Sequence, residues 1–218
     1  MGLRINDVAP DFTADSTEGK LSLHEWIGDG YAVLFSHPKD FTPVCTTEFG
    51  AVARLAPEFE KRGTKVMGIS VDSVEDHQKW KKDIEAFAGS PANFPIIDDT
   101  ELKVAKLYDM LPAEAYMPDG RTAKDSATVR TVFIIGPDKK IRLTMTYPMS
   151  VGRNFAEILR ALDAVKATDA APIATPANWE HGKDVIVSPS LDDGAAKEKF
   201  GEFDAKLPYL RLIPDPKK

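Results

Sequence analysis

The chain has 218 residues, an apolar share of 43% and a net charge of −6, from 28 basic and 34 acidic residues. Its length allows one large domain or a main domain with an appendage, and the apolar share excludes wholesale disorder. The acidic balance gives no indication of a nucleic-acid or membrane partner, and no apolar run approaches the roughly 20 residues that cross a bilayer. The single cysteine excludes an internal disulfide and predicts a reducing, cytoplasmic location.

The first half of the chain predicts a leading segment, two buried strands and two amphipathic helices. Residues 6–30 are rich in turn signals, and apolar runs at 31–35 and 65–71 predict the strands. Apolar residues at helical spacing follow each run, and Ser73 with Asp76 matches the capping pattern that begins a helix. Strands that alternate with helices in this way indicate an α/β protein.

An acidic turn follows the second helix and has two interpretations. Residues 94–97 predict a short strand, and Pro95 indicates either a sheet edge or the start of the strand, because a proline lacks the N–H that a central strand needs. Beyond it, Asp98, Asp99 and Glu101 could hold a metal ion, but capping of a helix over 102–108 is the favoured interpretation. We therefore expect no metal and no cofactor.

A hairpin in the second half predicts that the central sheet is mixed. Residues 111–128 are rich in Pro, Gly and polar residues and predict a long loop. Two apolar runs at 130–135 and 141–147 flank a Gly-Pro-Asp turn, which is typical of antiparallel neighbours. An amphipathic helix then begins near Phe155, with Asn154 as its expected cap.

The composition changes after Ala167, and we place a domain boundary there, between residues 1–167 and a C-terminal extension over 168–218. Residues 171–176 predict a linker. The apolar islands beyond it lie in about 50 residues, which is marginal for an independent domain. We expect the extension to pack on the main domain or on a second subunit.

Cys45 stands where a strand, a short polar loop and a helix meet. Thr42 is a candidate N-cap and Pro43 suits the first helical position, which puts the cysteine in the first turn. Unpaired N–H groups and the helix dipole favour a thiolate at that place. The alternative is an inert, buried thiol that acts as a small apolar side chain.

The spacing Pro38-x-x-x-Thr42-x-x-Cys45 resembles the signature of peroxiredoxins, and the surrounding residues 36–48 resemble the one-cysteine subfamily. The resemblance covers essentially the whole chain. It implies a thioredoxin-like fold with a mixed central sheet flanked by helices, plus a smaller C-terminal extension. It also implies a peroxidase that reduces hydrogen peroxide and organic hydroperoxides through a Cys45 sulfenic acid, recycled by an external thiol. A homodimer or higher homo-oligomer is expected.

The resemblance assigns roles to seven residues. It implies a catalytic group around the nucleophile and a substrate-binding group beside it: catalytic Cys45, Thr42, Arg130 and Pro38, and substrate-binding Arg153, His37 and Glu48. The residues alone leave alternatives open. Arg130 could be a surface residue at a strand start, Arg153 could merely precede a helix, and His37 could pack and hydrogen-bond rather than act as a base.

Two other functions are alternatives to peroxide reduction. A thioredoxin-like binding or chaperone module would carry the cysteine incidentally. Some one-cysteine peroxiredoxins also hydrolyse phospholipids with a Gly-x-Ser-x-Gly nucleophile, assisted by residues that match His24 and Asp138 here. Gly30 stands in the place of that serine and has no hydroxyl, so we expect no serine-dependent phospholipase activity.

Overall fold

The structure, a computed structural model, describes residues 2–116 and 127–216. The chain divides into two compact units, Met1–Phe155 and Ala156–Lys218. The division falls after the first residue of the long helix Phe155–Ala170, and apolar residues late in this helix pack into the cluster of the second unit. The functional division into 1–167 and 168–218 stays a prediction, and the central part of the predicted loop, 117–126, lies outside the described residues.

The first unit alternates strands with helices as its sequence pattern predicts. Its short first helix was not predicted, since five residues show too little periodicity to be recognised. The elements are β1 (Thr13–Ala14), β2 (Leu21–Ser22), α1 (Leu23–Ile27), β3 (Tyr31–Ser36), α2 (Pro43–Lys61), β4 (Thr64–Ser70), α3 (Val74–Ala88), β5 (Ile96–Asp98), α4 (Lys103–Leu107), β6 (Arg130–Ile135) and β7 (Ile141–Tyr147).

A five-stranded mixed sheet of order β5-β4-β3-β6-β7 forms the centre of this unit. β3, β4 and β5 run parallel, whereas β6 is antiparallel to both of its neighbours. The mixed sheet, the hairpin and the edge position of β5 are therefore confirmed. In β3, Leu34 lies opposite Met67 of β4 and Phe133 of β6, so the strand that precedes Cys45 is the middle of the sheet.

Alternate residues of β3 supply the apolar packing on the two faces of the sheet. Leu34 belongs to a cluster that also contains Met67, Tyr108 and Phe133. Phe35 points to the other face and lies 5.0 Å from the ring of Phe49 on α2. Gly68 permits this packing, because a Cβ there would lie 2.7 Å from Cζ of Phe49.

In the first unit, the side chains of Ser73 and Asp99 accept hydrogen bonds from N–H groups at the starts of α3 and α4. The Ser73 hydroxyl accepts a hydrogen bond from the N–H of Asp76, which confirms the predicted cap of α3. The Asp99 carboxylate accepts hydrogen bonds from the N–H groups of Val104 and Ala105 at 2.9 and 2.7 Å. The acidic turn therefore caps α4, as the favoured interpretation has it.

The second unit has a sheet and an apolar cluster of its own. The predicted linker 171–176 is wrong in part, since its middle forms a strand, and the apolar islands pack with one another rather than only on other surfaces. The cluster centres on Trp179, Val185, Val187 and Ile213. The elements are α5 (Phe155–Ala170), β8 (Ile173–Ala174), β9 (Val185–Val187), α6 (Asp193–Phe200), β10 (Asp204–Leu207) and β11 (Leu210–Ile213), and the sheet order is β10-β11-β9-β8.

None of the helices in the described part of the chain combines the length and the apolar character needed to span a membrane.

Candidate active site

The start of α2 places Cys45 in the first helical turn, as predicted. Thr42 has extended backbone angles at the N-cap, and Pro43 is the first helical residue. The Thr42 side chain makes no capping bond, which corrects the expectation of a side-chain cap; its hydroxyl donates instead to the carbonyl of Lys39 at 2.8 Å. Cys45 is 0% exposed, so its sulfur sits at a helix N-terminus with bulk water excluded.

Arg130, the first residue of β6, reaches across to this sulfur. Its Nη1 lies 3.3 Å from Sγ of Cys45 and donates to Oε2 of Glu48 at 2.7 Å. Its Nε donates to the carbonyl of Met149 at 2.8 Å. Arg130 is 2% exposed, so the alternative of a surface residue does not hold. A guanidinium held on two sides in this way is a fixed hydrogen-bond donor for an anion at the sulfur.

Glu48 joins two arginines one turn after Cys45. Arg153 donates to Oε1 from its backbone N–H and its Nε, at 2.8 and 2.9 Å, and to Oε2 from Nη2 at 2.7 Å. Burial alone would raise the pKa of Glu48, but the hydrogen bonds and charge of Arg153, with the charge of Arg130, hold it below its ordinary value. The carboxylate is therefore ionised at neutral pH.

The charged side chains around the sulfur of Cys45 have a net positive charge. Arg130 and Arg153 carry two positive charges, and Glu48 carries one negative charge. Burial lowers the pKa of Arg153, and Glu48 opposes the shift. Because buried charges are stable only when they are balanced, the remaining positive charge makes the space beside Sγ of Cys45 suitable for an anion.

Pro38 and His37 lie in the turn that leads from β3 to Thr42, and both are buried. The His37 ring packs on Phe49 and stacks on Trp80, with centroid distances of 4.5 and 5.0 Å. Its Nε2 is 2.7 Å from Oδ1 of Asp40, while Nδ1 has no hydrogen-bond partner in the described chain. The Arg153 side chain donates hydrogen bonds to Glu48 and to the carbonyl of Thr131. His37 and Arg153 therefore contact residues that neighbour the sulfur rather than the sulfur itself.

Sequence reasoning missed Asp40 and His77, which join His37 in a buried trio. Oδ2 of Asp40 is 2.6 Å from Nδ1 of His77. The signal was the helical spacing of His77 with the buried Trp80 and Ile84 on α3. Among the described residues, this trio is the group whose potential ligand atoms lie close enough together, within 4.8 Å of one another, to hold a metal ion. Ligands of one zinc ion lie roughly 3.3 Å apart at bond lengths of about 2.0–2.1 Å, so the spacing here is that of hydrogen bonds.

Ser36 is the serine nearest in sequence to Gly30, which stands where a lipase-type nucleophile would be. Its hydroxyl makes two hydrogen bonds within the sheet. Its Oγ donates to the carbonyl of Val129 at 2.6 Å and accepts from the N–H of Thr131 at 3.0 Å. The side chain is 0% exposed. Ser36 therefore fastens β3 to the start of β6 and presents no hydroxyl to a substrate.

Comparison with known proteins agrees with this geometry. The AhpC/TSA family matches residues 5–144, and the C-terminal domain of 1-Cys peroxiredoxin matches residues 164–202. The chain belongs to the AhpC/TSA family and is a 1-Cys peroxiredoxin, a thiol-dependent peroxidase. The mitochondrial peroxiredoxin PRX1 of Saccharomyces cerevisiae is 52% identical over 213 residues, which are 96% of this chain and 80% of that protein.

Two solved peroxiredoxins have the same fold over nearly the whole chain. A cysteine-to-serine mutant of the Peroxiredoxin 6 of Arenicola marina is 43% identical, covers 100% of both chains and superposes with a TM-score of 0.92. The yeast mitochondrial 1-Cys peroxiredoxin is 49% identical, covers 97% of this chain and 99% of its own, and has a TM-score of 0.87. That second structure concerns thiol resolution through the glutathione and thioredoxin systems. The thioredoxin-like fold with a C-terminal extension is thus confirmed.

Proposed function

We propose that Cys45 is the nucleophile that reduces hydrogen peroxide and organic hydroperoxides. One observation carries this proposal: Arg130, part of a buried group with an unbalanced positive charge, places its Nη1 3.3 Å from Sγ of Cys45. The thiolate attacks the terminal peroxide oxygen, so that an S–O bond forms as the O–O bond breaks. The leaving oxygen departs with a proton as water or an alcohol, and the sulfur becomes a sulfenic acid.

Arg130 and Thr42 act on the two peroxide oxygens. Arg130 donates to the charge that develops on oxygen in the transition state, which is where a preorganised donor contributes most. The Thr42 hydrogen is already given to the carbonyl of Lys39. Its oxygen lone pairs are therefore free to accept the peroxide O–H and to orient the O–O bond. The buried Pro38 shapes the turn and keeps water out.

Glu48 and Arg153 act through Arg130. Oε2 of Glu48 accepts a hydrogen bond from the Arg130 guanidinium, and Arg153 donates to both carboxylate oxygens of Glu48. The Arg153 guanidinium also lies 5.1 Å from the ring centroid of Phe35, which fixes its plane. We assign them to positioning the substrate site rather than to direct contact with the peroxide.

An external thiol returns the sulfenic acid to the thiol. The chain has one cysteine, so it holds no second thiol to form an internal disulfide with Cys45. The link of the yeast relative to the glutathione and thioredoxin systems supports a reductant of one of these two kinds. Further oxidation of the sulfenic acid competes with this step when the thiol is scarce. Because the cycle depends on reduced thiols, we also propose a cytoplasmic location.

Turnover with defined thiols tests the assignment. Peroxide consumption is followed with glutathione or thioredoxin as reductant, in the wild-type chain and in Cys45→Ser, Thr42→Val and Thr42→Ser. We expect no turnover in Cys45→Ser and a loss on the order of 10²-fold in Thr42→Val, with most of the rate kept in Thr42→Ser. Thr47→Val is a matched control, since its hydroxyl is exposed and bonds only the carbonyl of Val44. Turnover in Cys45→Ser would contradict the proposal.

A homodimer forms the last part of the proposal. Large apolar side chains remain exposed on the hairpin of β10 and β11, where Tyr209 is 76% and Leu207 is 45% exposed. Exposed groups of this kind often mark a protein interface. Their position supports an interface that includes the extension.

A further inference from the structure

The trio of His37, Asp40 and His77 has no role in the proposed chemistry, although all three side chains are fully buried. It joins the turn between β3 and α2 to helix α3. Oδ1 of Asp40 is 2.7 Å from Nε2 of His37, and Oδ2 is 2.6 Å from Nδ1 of His77. A buried polar group of this kind is costly unless its hydrogen bonds are satisfied, so the protonation state of each ring matters.

The partners of each ring define where its hydrogens lie. Nδ1 of His77 faces the Asp40 carboxylate, and its Nε2 faces the carbonyl of Ile97 at 3.0 Å. Both partners are acceptors, so each nitrogen of His77 is placed to donate a hydrogen. Burial alone would raise the pKa of Asp40, but the hydrogen bonds and charges of the two histidines hold it below its ordinary value. The ionised Asp40 carboxylate and the His77 ring are therefore joined by a short, buried hydrogen bond.

His37 differs from His77 because it has only one acceptor. Burial lowers the pKa of His37, against the opposing effect of Asp40, so the ring is neutral. Its single hydrogen is on Nε2, where it is given to Asp40. Nδ1 then carries a lone pair and has no partner in the described chain. The Asp40–His77 pair thus selects one tautomer of His37.

The same contacts hold the turn that carries the peroxide-binding residues. The backbone N–H of Asp40 donates to Oδ2 of Asp72 at 2.8 Å, so the residue is tied by its side chain and its main chain. The His37 ring lies 4.5 Å from the ring of Phe49, which follows Cys45 by one turn on the same face of α2. The trio therefore connects Pro38 and Thr42, in the turn, to the face of α2 that carries the sulfur.

We infer that Asp40 and His77 are positioning residues for peroxide attack. They hold His37 as its Nε2–H tautomer and keep the turn of Pro38 and Thr42 in the geometry that the O–O bond requires. This inference rests on the proposed function of Cys45. The reducing thiol approaches the sulfenic acid without needing the Thr42 oxygen, so the inference applies to the oxidation step alone.

Separate measurement of the two half-reactions tests the inference. Asp40→Asn keeps the shape but offers one acceptor to two donor rings, and His77→Gln removes the ring that links Asp40 to the carbonyl of Ile97. For both variants we expect oxidation of Cys45 by peroxide to slow about 10- to 100-fold, with reduction by thiol changed less than about two-fold. Asp99→Asn is the matched control, because Asp99 is also buried and caps α4, and we expect it to lose stability but keep the oxidation rate.

Ring ¹⁵N spectra of the wild-type chain give a second readout, which reports the hydrogens on each histidine directly. The chain has four histidines, so single His→Gln variants assign the signals. We expect two protonated nitrogens in His77 and an Nε2–H tautomer in His37 at neutral pH. A neutral His77, an Nδ1–H tautomer of His37, or a folded Asp40→Asn with wild-type oxidation would overturn the inference alone. A wild-type chain that peroxide does not oxidise at Cys45 would overturn the proposed function as well.

Discussion

Cys45, Arg130, Glu48 and Arg153 form one electrostatic unit whose members depend on one another. The two guanidinium groups share one carboxylate, and the sulfur lies against the guanidinium of Arg130. Breaking a buried ion pair by removing one partner typically costs about 3–5 kcal/mol, because the remaining charge is left uncompensated. The loss of Glu48 should therefore be costly for stability and should also free Arg130 from its place.

Glu48→Gln tests this coupling through its pH dependence. The pKa of Glu48 is held below its ordinary value of 4.5, so its ionised form stabilises the fold above that pH. This contribution is lost as the pH falls through the lowered pKa. We expect Glu48→Gln to lower the free energy of unfolding by about 3–5 kcal/mol at pH 7, and the difference from wild type to shrink below pH 4.5. Urea denaturation over this pH range measures both.

Glu58→Gln provides the control for that experiment. Glu58 pairs with Lys61 and Arg62 on the exposed side of α2, where solvent screens the interaction. We expect this variant to change stability little at any pH. An equal effect of the two substitutions would show that Glu48 is not part of a buried charge unit.

The sequence predicted the members of this unit better than their connections. Thr42-Pro43 predicted that the helix starts at Pro43, just before Cys45, although Thr42 makes no side-chain cap, and the resemblance supplied Arg130 and Arg153. The sharing of Glu48 by both arginines could not be predicted, since it brings residues 105 positions apart into contact. Asp40 and His77 were missed for the same reason, because they are 37 positions apart and neither carries a local motif.

At the scale of elements, the position of α2 depends on its close packing against β4. Gly68 of β4 lies directly under the Phe49 ring, and this close approach is not visible in the periodicity of either element. The order of elements from β3 to β7 followed from periodicity and turn residues, whereas α1 was too short to detect. Close packing of this kind sets the position of Cys45 relative to β6, on which the contact with Arg130 depends.

Gly68→Ala tests the contact between β4 and α2. The added Cβ would meet the Phe49 ring at 2.7 and 2.9 Å, so the ring or the helix must move. We expect a loss of about 1–3 kcal/mol in the free energy of unfolding, as for other overpacked cores. Gly194→Ala is the control, because the added Cβ would lie at an ordinary contact distance of 3.4 Å from Oδ1 of Asp192. Equal stability of Gly68→Ala and wild type in chemical denaturation would contradict the packing described.

For the whole molecule, the extension was the part that the sequence predicted least well. Its apolar residues are separated by polar stretches, and the pairing of β8, β9 and β11 joins segments that no local pattern connects. The strands nevertheless enclose Trp179, Val185 and Ile213 in a cluster. The second unit therefore has a core, while Leu207 and Tyr209 stay exposed.

Sedimentation of the full chain tests the proposed dimer. We expect a homodimer or larger assembly in the wild type, and weaker association in a variant with Leu207→Ser and Tyr209→Ser, since the interface loses apolar area. Phe87→Ser is a control, because Phe87 is 55% exposed on α3 of the first unit. A monomeric wild-type chain, or weaker association in Phe87→Ser alone, would be inconsistent with an interface that includes the extension.

The central claim is that peroxide oxidises Cys45 because Arg130 holds its thiolate, and rapid mixing with one equivalent of hydrogen peroxide tests it most directly. The reduced full chain is mixed and quenched with a sulfenic-acid trap, and the modified residue is identified by mass spectrometry. We predict fast, stoichiometric trapping at Cys45 in the wild type. We expect Arg130→Met to be oxidised much more slowly, and Arg130→Lys at a rate between those of the wild type and Arg130→Met. Slow, generic oxidation in all three, as a binding or chaperone module would show, would contradict the account.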